Sequence, residues 1–120
     1  MLALQSDPSQ FRNALAYALP YEATHVVVFY DRVRDKVEPA KVPYLLAHVL
    51  VHEITHILQG NEGHSASGVM KARWDSGDYA GMFRKQLGFT ETDVNRIHRG
   101  LDRRECHNRA NSTASTLPVP

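Results

Sequence analysis

The chain has little of what would tie a fold to a special environment. It holds one cysteine in 120 residues, Cys106, with no partner to bond, so neither a disulfide nor an oxidising compartment underlies the fold. No apolar run is long enough to span a bilayer. Residues 1–7 lack the basic start and long apolar stretch of a secretory signal, which makes cytoplasmic residence the default expectation unless a leader has been removed. Charge of one sign is not in excess either: 14 Lys and Arg face 13 Asp and Glu, for a formal net charge of +1, which says little about partners. There are no internal repeats, and the length leaves no room for a second domain.

What is present is ordinary for a soluble globular protein, with 42% apolar and 22% charged residues. The expected organisation is a single domain over residues 1–104 and a disordered tail over 105–120, where the sequence turns small and polar. Charge is uneven: Lys71, Arg73, Arg84, Lys85, Arg96, Arg99, Arg103, Arg104 and Arg109 all follow the centre of the chain. The arginines of the last segment read mostly as a solvated face, and no nucleic-acid partner is expected.

Local patterns place the elements. Asp7 and Pro8 form a helix start, and Phe11, Ala14, Leu15 and Ala18 continue as an apolar stripe until Pro20. Residues 24–30, rich in Val and aromatics, predict a strand covered on both faces, and 31–40 reads as a surface loop or ragged hairpin. Pro43 opens a long helix to Leu58 or Gln59 that is apolar almost all round, so it must be buried. Gly60 is placed to reverse the chain in the left-handed conformation. Asp75 or Ser76 caps a short helix through Met82, and a last helix starts at Thr90 with Asp93 completing a capping pattern.

The long helix carries the chemistry. His52 and His56 are four residues apart, so both imidazoles stand on one helical face and can reach one ion. Glu53 is turned about 100° from His52, beside that ion without ligating it, where a general base belongs. Burying this helix also buries His48, His52, Glu53 and His56, and a bound cation would supply the partners that buried polar groups need. The turn after Gly60 brings His64 back as a third candidate ligand, with Glu62 as the rival, since carboxylate oxygen also binds zinc. His48, one turn further up the stripe, reads as a supporting or helix-capping group. A catalytic zinc keeps one position open.

The stretch from His52 to Met70 resembles the metzincin zinc endopeptidases, whose pattern is His-Glu-x-x-His-x-x-Gly-x-x-His followed by a methionine-containing turn. Carried over, the resemblance implies His52, His56 and His64 as zinc ligands, Glu53 as general base, Gly60 as the turn glycine and Met70 as the methionine of the turn. Ser65 after the third histidine is similar to the matrixin branch. This chain departs from the pattern: Gly60 comes one residue late and His64 two, Glu62 stands where the third histidine falls, and Ala72 stands where some families carry a tyrosine.

The implied fold is α+β, a small zincin-like domain with a short mixed sheet, a long buried active-site helix and C-terminal helices. No first strand is evident in residues 1–7. The implied activity is zinc-dependent peptide-bond hydrolysis by a water that the metal polarises and Glu53 deprotonates. A peptide or protein substrate would lie extended against residues 24–30 as an edge strand, and no membrane partner is expected. A zinc-stabilised binding module, with Glu62 and His64 both ligating, and a small basic nucleic-acid-binding protein are the other readings.

Overall fold

The computed structural model describes residues 2–5, 14–19 and 25–116, with side chains described over 14–18 and 25–109. The architecture is α+β. Strands β1 (Leu2–Gln5), β2 (Ala16–Leu19) and β3 (His25–Phe29) precede helices α1 (Tyr30–Lys36), α2 (Val42–Gln59), α3 (Ser76–Arg84) and α4 (Glu91–Thr116). A single turn of 3-10 helix, Pro39–Lys41, leads into α2.

β3 is the centre of a three-stranded mixed sheet in the order β1-β3-β2. Its Val-Val-Val-Phe run suits a strand packed on both faces, and Val26, Val27, Val28 and Phe29 are all buried. β1 runs parallel to it, pairing Leu2 with Val26, and β2 antiparallel, pairing Ala16 with Val28 and Leu19 with His25. The sheet packs on α2, where Leu45, Val49 and Ile57 join Val26, Val28, Val33 and Met82 in one core.

Four expectations are corrected here. Residues 16–19 form a strand rather than the end of a helix, because hydrogen bonding to β3 outweighs the helical preference of an alanine-rich segment; Asp7, Pro8 and Phe11 lie outside the described residues. A first strand does exist at Leu2–Gln5. The expected loop after β3 begins with α1, held by one buried residue, Val33, with Asp31 in its first turn and Arg34 and Lys36 in its last complementing the helix dipole. Finally, α4 continues beyond residue 104 to Thr116, with Arg109 paired to Glu105 at 2.6 Å along its exposed surface.

α2 begins and ends close to where the sequence puts it. Pro43 lies in its first turn, and Gly60 closes it with φ 71°, its N–H donating to the carbonyls of His56 and Ile57. At 1.5 Å per residue the helix spans about 27 Å. It is not buried all round: Tyr44, Val51 and Ile54 form an exposed apolar stripe on the side away from sheet and core.

α3 is capped as expected by Asp75, in a reciprocal box with Asp78. The box Thr90–Asp93 caps α4: Asp93 accepts from Thr90 N at 2.7 Å and donates its own N–H to the Thr90 hydroxyl at 3.1 Å. α4 crosses the end of α2 at Gly100, where a Cβ would sit 2.0 Å from the Leu58 carbonyl oxygen. Only a residue without a side chain permits that approach.

Candidate metal centre

α2 brings His52 and His56 onto one face by their i, i+4 spacing, and both are buried. Each ring is fixed from outside the pair. His52 Nδ1 donates to the Val69 carbonyl at 2.7 Å, and His56 Nδ1 to the Asn61 carbonyl at 3.2 Å. With both protons on Nδ1, both Nε2 atoms present lone pairs, and these face each other at 3.1 Å. Two lone pairs at that distance repel unless something positive lies between them.

Two nitrogens bound to one tetrahedral zinc at 2.0–2.1 Å lie about 3.3 Å apart, so the His52–His56 pair already has the spacing of a metal chelate. His64 completes the cluster. One ligand atom from each of His52, His56 and His64 lies within 4.8 Å of the others, the one such group among the described residues. Its ring stacks 5.3 Å from that of His52 and stands edge-on to that of His56 at 4.8 Å. Glu62, the rival donor, is outside this group. It lies close enough to act electrostatically on Glu53 and His64.

The electrostatics fit a cation. Burial lowers the pKa of all three imidazoles, His56 to about 4 with further repulsion from His52 and His64. Neutral imidazoles, each with one unprotonated ring nitrogen, gathered about one point are the form that binds a divalent metal. Glu53 is also buried, with Oε1 4.0 Å from His52 Nε2, and burial followed by repulsion from Glu62 pushes its pKa up to about 7. A carboxyl near that value can take up and give back a proton at neutral pH.

The third histidine is positioned by the turn after it and by α4. Ser65 N donates to Met70 O at 2.9 Å and closes a tight turn, in which Met70 is fully buried and the Val69 carbonyl is the one that orients His52. The Ser65 hydroxyl bonds Asp93, and Arg96 Nη1 donates to the His64 carbonyl at 2.8 Å. Further along α4, Arg103 donates to Gln59 O at 2.6 Å and Arg104 to Ile57 O at 2.7 Å, carbonyls of the last turn of α2, where the helix's own bonding runs out. Three arginines read from the sequence as solvated face are therefore committed to main-chain oxygens. Their signal was not local, since the shortest of these three pairings spans 32 residues.

The cluster opens into a cleft of about 730 Å³. Its lining includes residues 14–18, His52, Glu53, His56, His64 and Trp74. Among the described strands β2, not β3, is the edge here: β3 is paired on both sides, whereas β2 lies at the end of the sheet order. The expectation that residues 24–30 offer a free edge is corrected accordingly. Trp74 and Tyr79 both line the cleft, Trp74 edge-on to His52 at 5.7 Å. His48 is a structural link: its Nδ1 donates to Tyr44 O at 2.8 Å and its Nε2 accepts from Leu87 N at 3.0 Å. No described helix is long and apolar enough to cross a membrane.

No protein-family model matches this chain, and neither a curated protein nor a solved structure shows significant similarity to it.

Proposed function

We propose that this chain is a zinc-dependent peptidase of metzincin type. The observation that carries the reading is the convergence of the lone pairs of His52 and His56, with His64 beside them and the Glu53 carboxyl 4.0 Å from His52 Nε2. Three imidazoles, with no fourth donor grouped with them among the described residues, leave a position for water, as catalytic zinc requires. A divalent ion held there supplies Lewis acidity, drawing down the pKa of a water and polarising a peptide carbonyl.

The chain's own groups do the rest. Glu53 Oε1 takes a proton as the water oxygen bonds to the peptide carbon, and it returns that proton to the nitrogen as the C–N bond breaks. Atoms balance: one water is consumed, and one carboxyl and one amine are released. β2 offers its outer edge along the cleft, so an extended peptide can add to the sheet by main-chain hydrogen bonds. The alanines at 14, 16 and 18 keep that ledge narrow enough for a peptide backbone to approach.

The test is metal content by elemental analysis, alongside hydrolysis of a mixed peptide library with and without a chelator. The expected result is one metal per chain and cleavage that chelation abolishes and zinc restores. The same measurement identifies the metal, since iron, cobalt or nickel also accept three imidazoles. Metal-loaded protein that cleaves nothing and binds no hydroxamate overturns the reading.

A further inference from the structure

The cleft carries positive charge that the proposed chemistry does not use. Lys36, at the end of α1, and Lys71 and Arg73, just beyond the turn, all line it. Lys71 is already committed, with Nζ 2.6 Å from Asp78 and 3.1 Å from Asp75. Lys36 and Arg73 are exposed, and no carboxylate lies within ion-pair distance of either among the described residues. Of the two carboxylates in the lining, Glu53 lies 4.0 Å from His52 Nε2 and Glu62 acts on Glu53 and His64, so both stand at the imidazole cluster, where a bound divalent cation would offset them. Among the described residues the cleft therefore has two uncompensated cations, one of them a guanidinium whose planar fork suits bidentate recognition of a carboxylate.

We infer that the cleft selects peptides carrying a carboxylate within the bound segment, with Lys36 and Arg73 as the residues that set this preference. The inference rests on the peptidase reading above and names the substrate class of the same site. A cleft with one sign of free charge and low-dielectric walls concentrates ligands of the other sign, and the effect weakens with salt. An Asp or Glu side chain and a free C-terminal carboxylate share the required chemistry.

Internally quenched peptides on one uncharged scaffold distinguish these sources when made neutral or with Asp and Glu, each as C-terminal acid and as amide. With zinc-loaded protein, a carboxylate is expected to raise kcat/KM about ten-fold over its uncharged counterpart. An advantage that persists in the amidated acidic peptides assigns it to side chains; one confined to free acids assigns it to the C-terminus. In the Lys36→Gln, Arg73→Gln double variant the ratio should fall towards one, and in wild type it should shrink as salt rises. Equal kcat/KM across the set, or a ratio the double variant leaves intact, overturns the inference while the peptidase reading stands. If nothing is cleaved, the peptidase reading fails separately, and fluorescence anisotropy with the same peptides decides the preference. Tighter carboxylate binding that the double variant loses supports it, and equal binding overturns it.

Discussion

The hydroxyl of Ser65 is hydrogen-bonded to the carboxylate of Asp93, 28 residues further along the chain, so the residue next to His64 is tied to the first turn of α4. Asp93 is fully buried and also caps that helix through Thr90 N. Asp93→Ala should remove its half of the capping box and leave the partly buried Ser65 hydroxyl with Thr90 Oγ1 alone, costing about 1–2 kcal/mol in urea unfolding. Its metal affinity should fall as well, because His64 loses a support. Asp93→Asn, which can still cap and accept, should recover most of both; equal metal affinity in all three proteins would separate α4 from the site.

Ligand choice is testable one residue at a time. His64→Ala should weaken zinc binding strongly, since it leaves two imidazoles, whereas Glu62→Ala should leave affinity close to wild type. Wild type saturated at a hundred times Kd should gain about 2.7 kcal/mol of stability, and the His64 variant far less at the same zinc concentration. A Glu62 variant that loses the metal would reverse the assignment.

Glu53→Gln keeps the shape of the side chain but cannot carry the proton. Metal content should be retained while peptide hydrolysis falls by at least two orders of magnitude, the usual scale for a positioned acid–base group. Hydrolysis at the wild-type rate would remove Glu53 from the reaction.

Two glycines should respond in opposite directions. Gly100→Ala places a methyl group against the Leu58 and Gln59 carbonyl oxygens, at 2.0 and 2.6 Å, and should cost about 1–3 kcal/mol or more by forcing α4 away from α2. At Gly81, within α3, a Cβ meets nothing within 4 Å, so alanine should add about 1 kcal/mol from helix propensity. Thermal unfolding of the two variants reads both effects.

Acid should destabilise the metal-free protein. The folded pKa of His52, His56 and His64 lies below 6.5, with His56 at about 4, so the unfolded chain takes up these protons first and stability drains away as pH falls from 6.5 towards 4. Glu53 works against this: its folded pKa of about 7 exceeds 4.5, so its contribution is full below 4.5 and is lost as pH rises through 7. Below pH 6.5 three imidazoles oppose one carboxyl, and the melting temperature without metal should drop between about pH 6.5 and pH 4. Zinc should raise the melting temperature at pH 7 and lose its effect as the imidazoles protonate. A metal-free melting temperature that rises as pH falls from 6.5 towards 4 would contradict the neutral state of the three rings, of which His52 and His56 are buried.

Much of the site was legible because its information is local. The four-residue spacing of His52 and His56 follows from helix geometry alone, Pro43 and Gly60 mark the ends of α2 by their own backbone preferences, and Asp75 and Asp93 act within one turn of where they stand. The segments misread were those whose conformation neighbours decide. An alanine-rich stretch at 16–19 became β2 only because β3 supplied a partner, and α1 offered the sequence a single buried residue, Val33, too little for a period.

The sequence by itself determined that one helix presents two imidazoles and a carboxyl, since the turn of an α-helix depends on nothing beyond the chain's own backbone. Only the tertiary structure decided which third donor joins them, which strand lies open along the cleft, and that arginines far down the chain hold the end of α2. Those outcomes depend on contacts between residues dozens of positions apart, and such contacts are fixed when sheet, turn and last helix pack together.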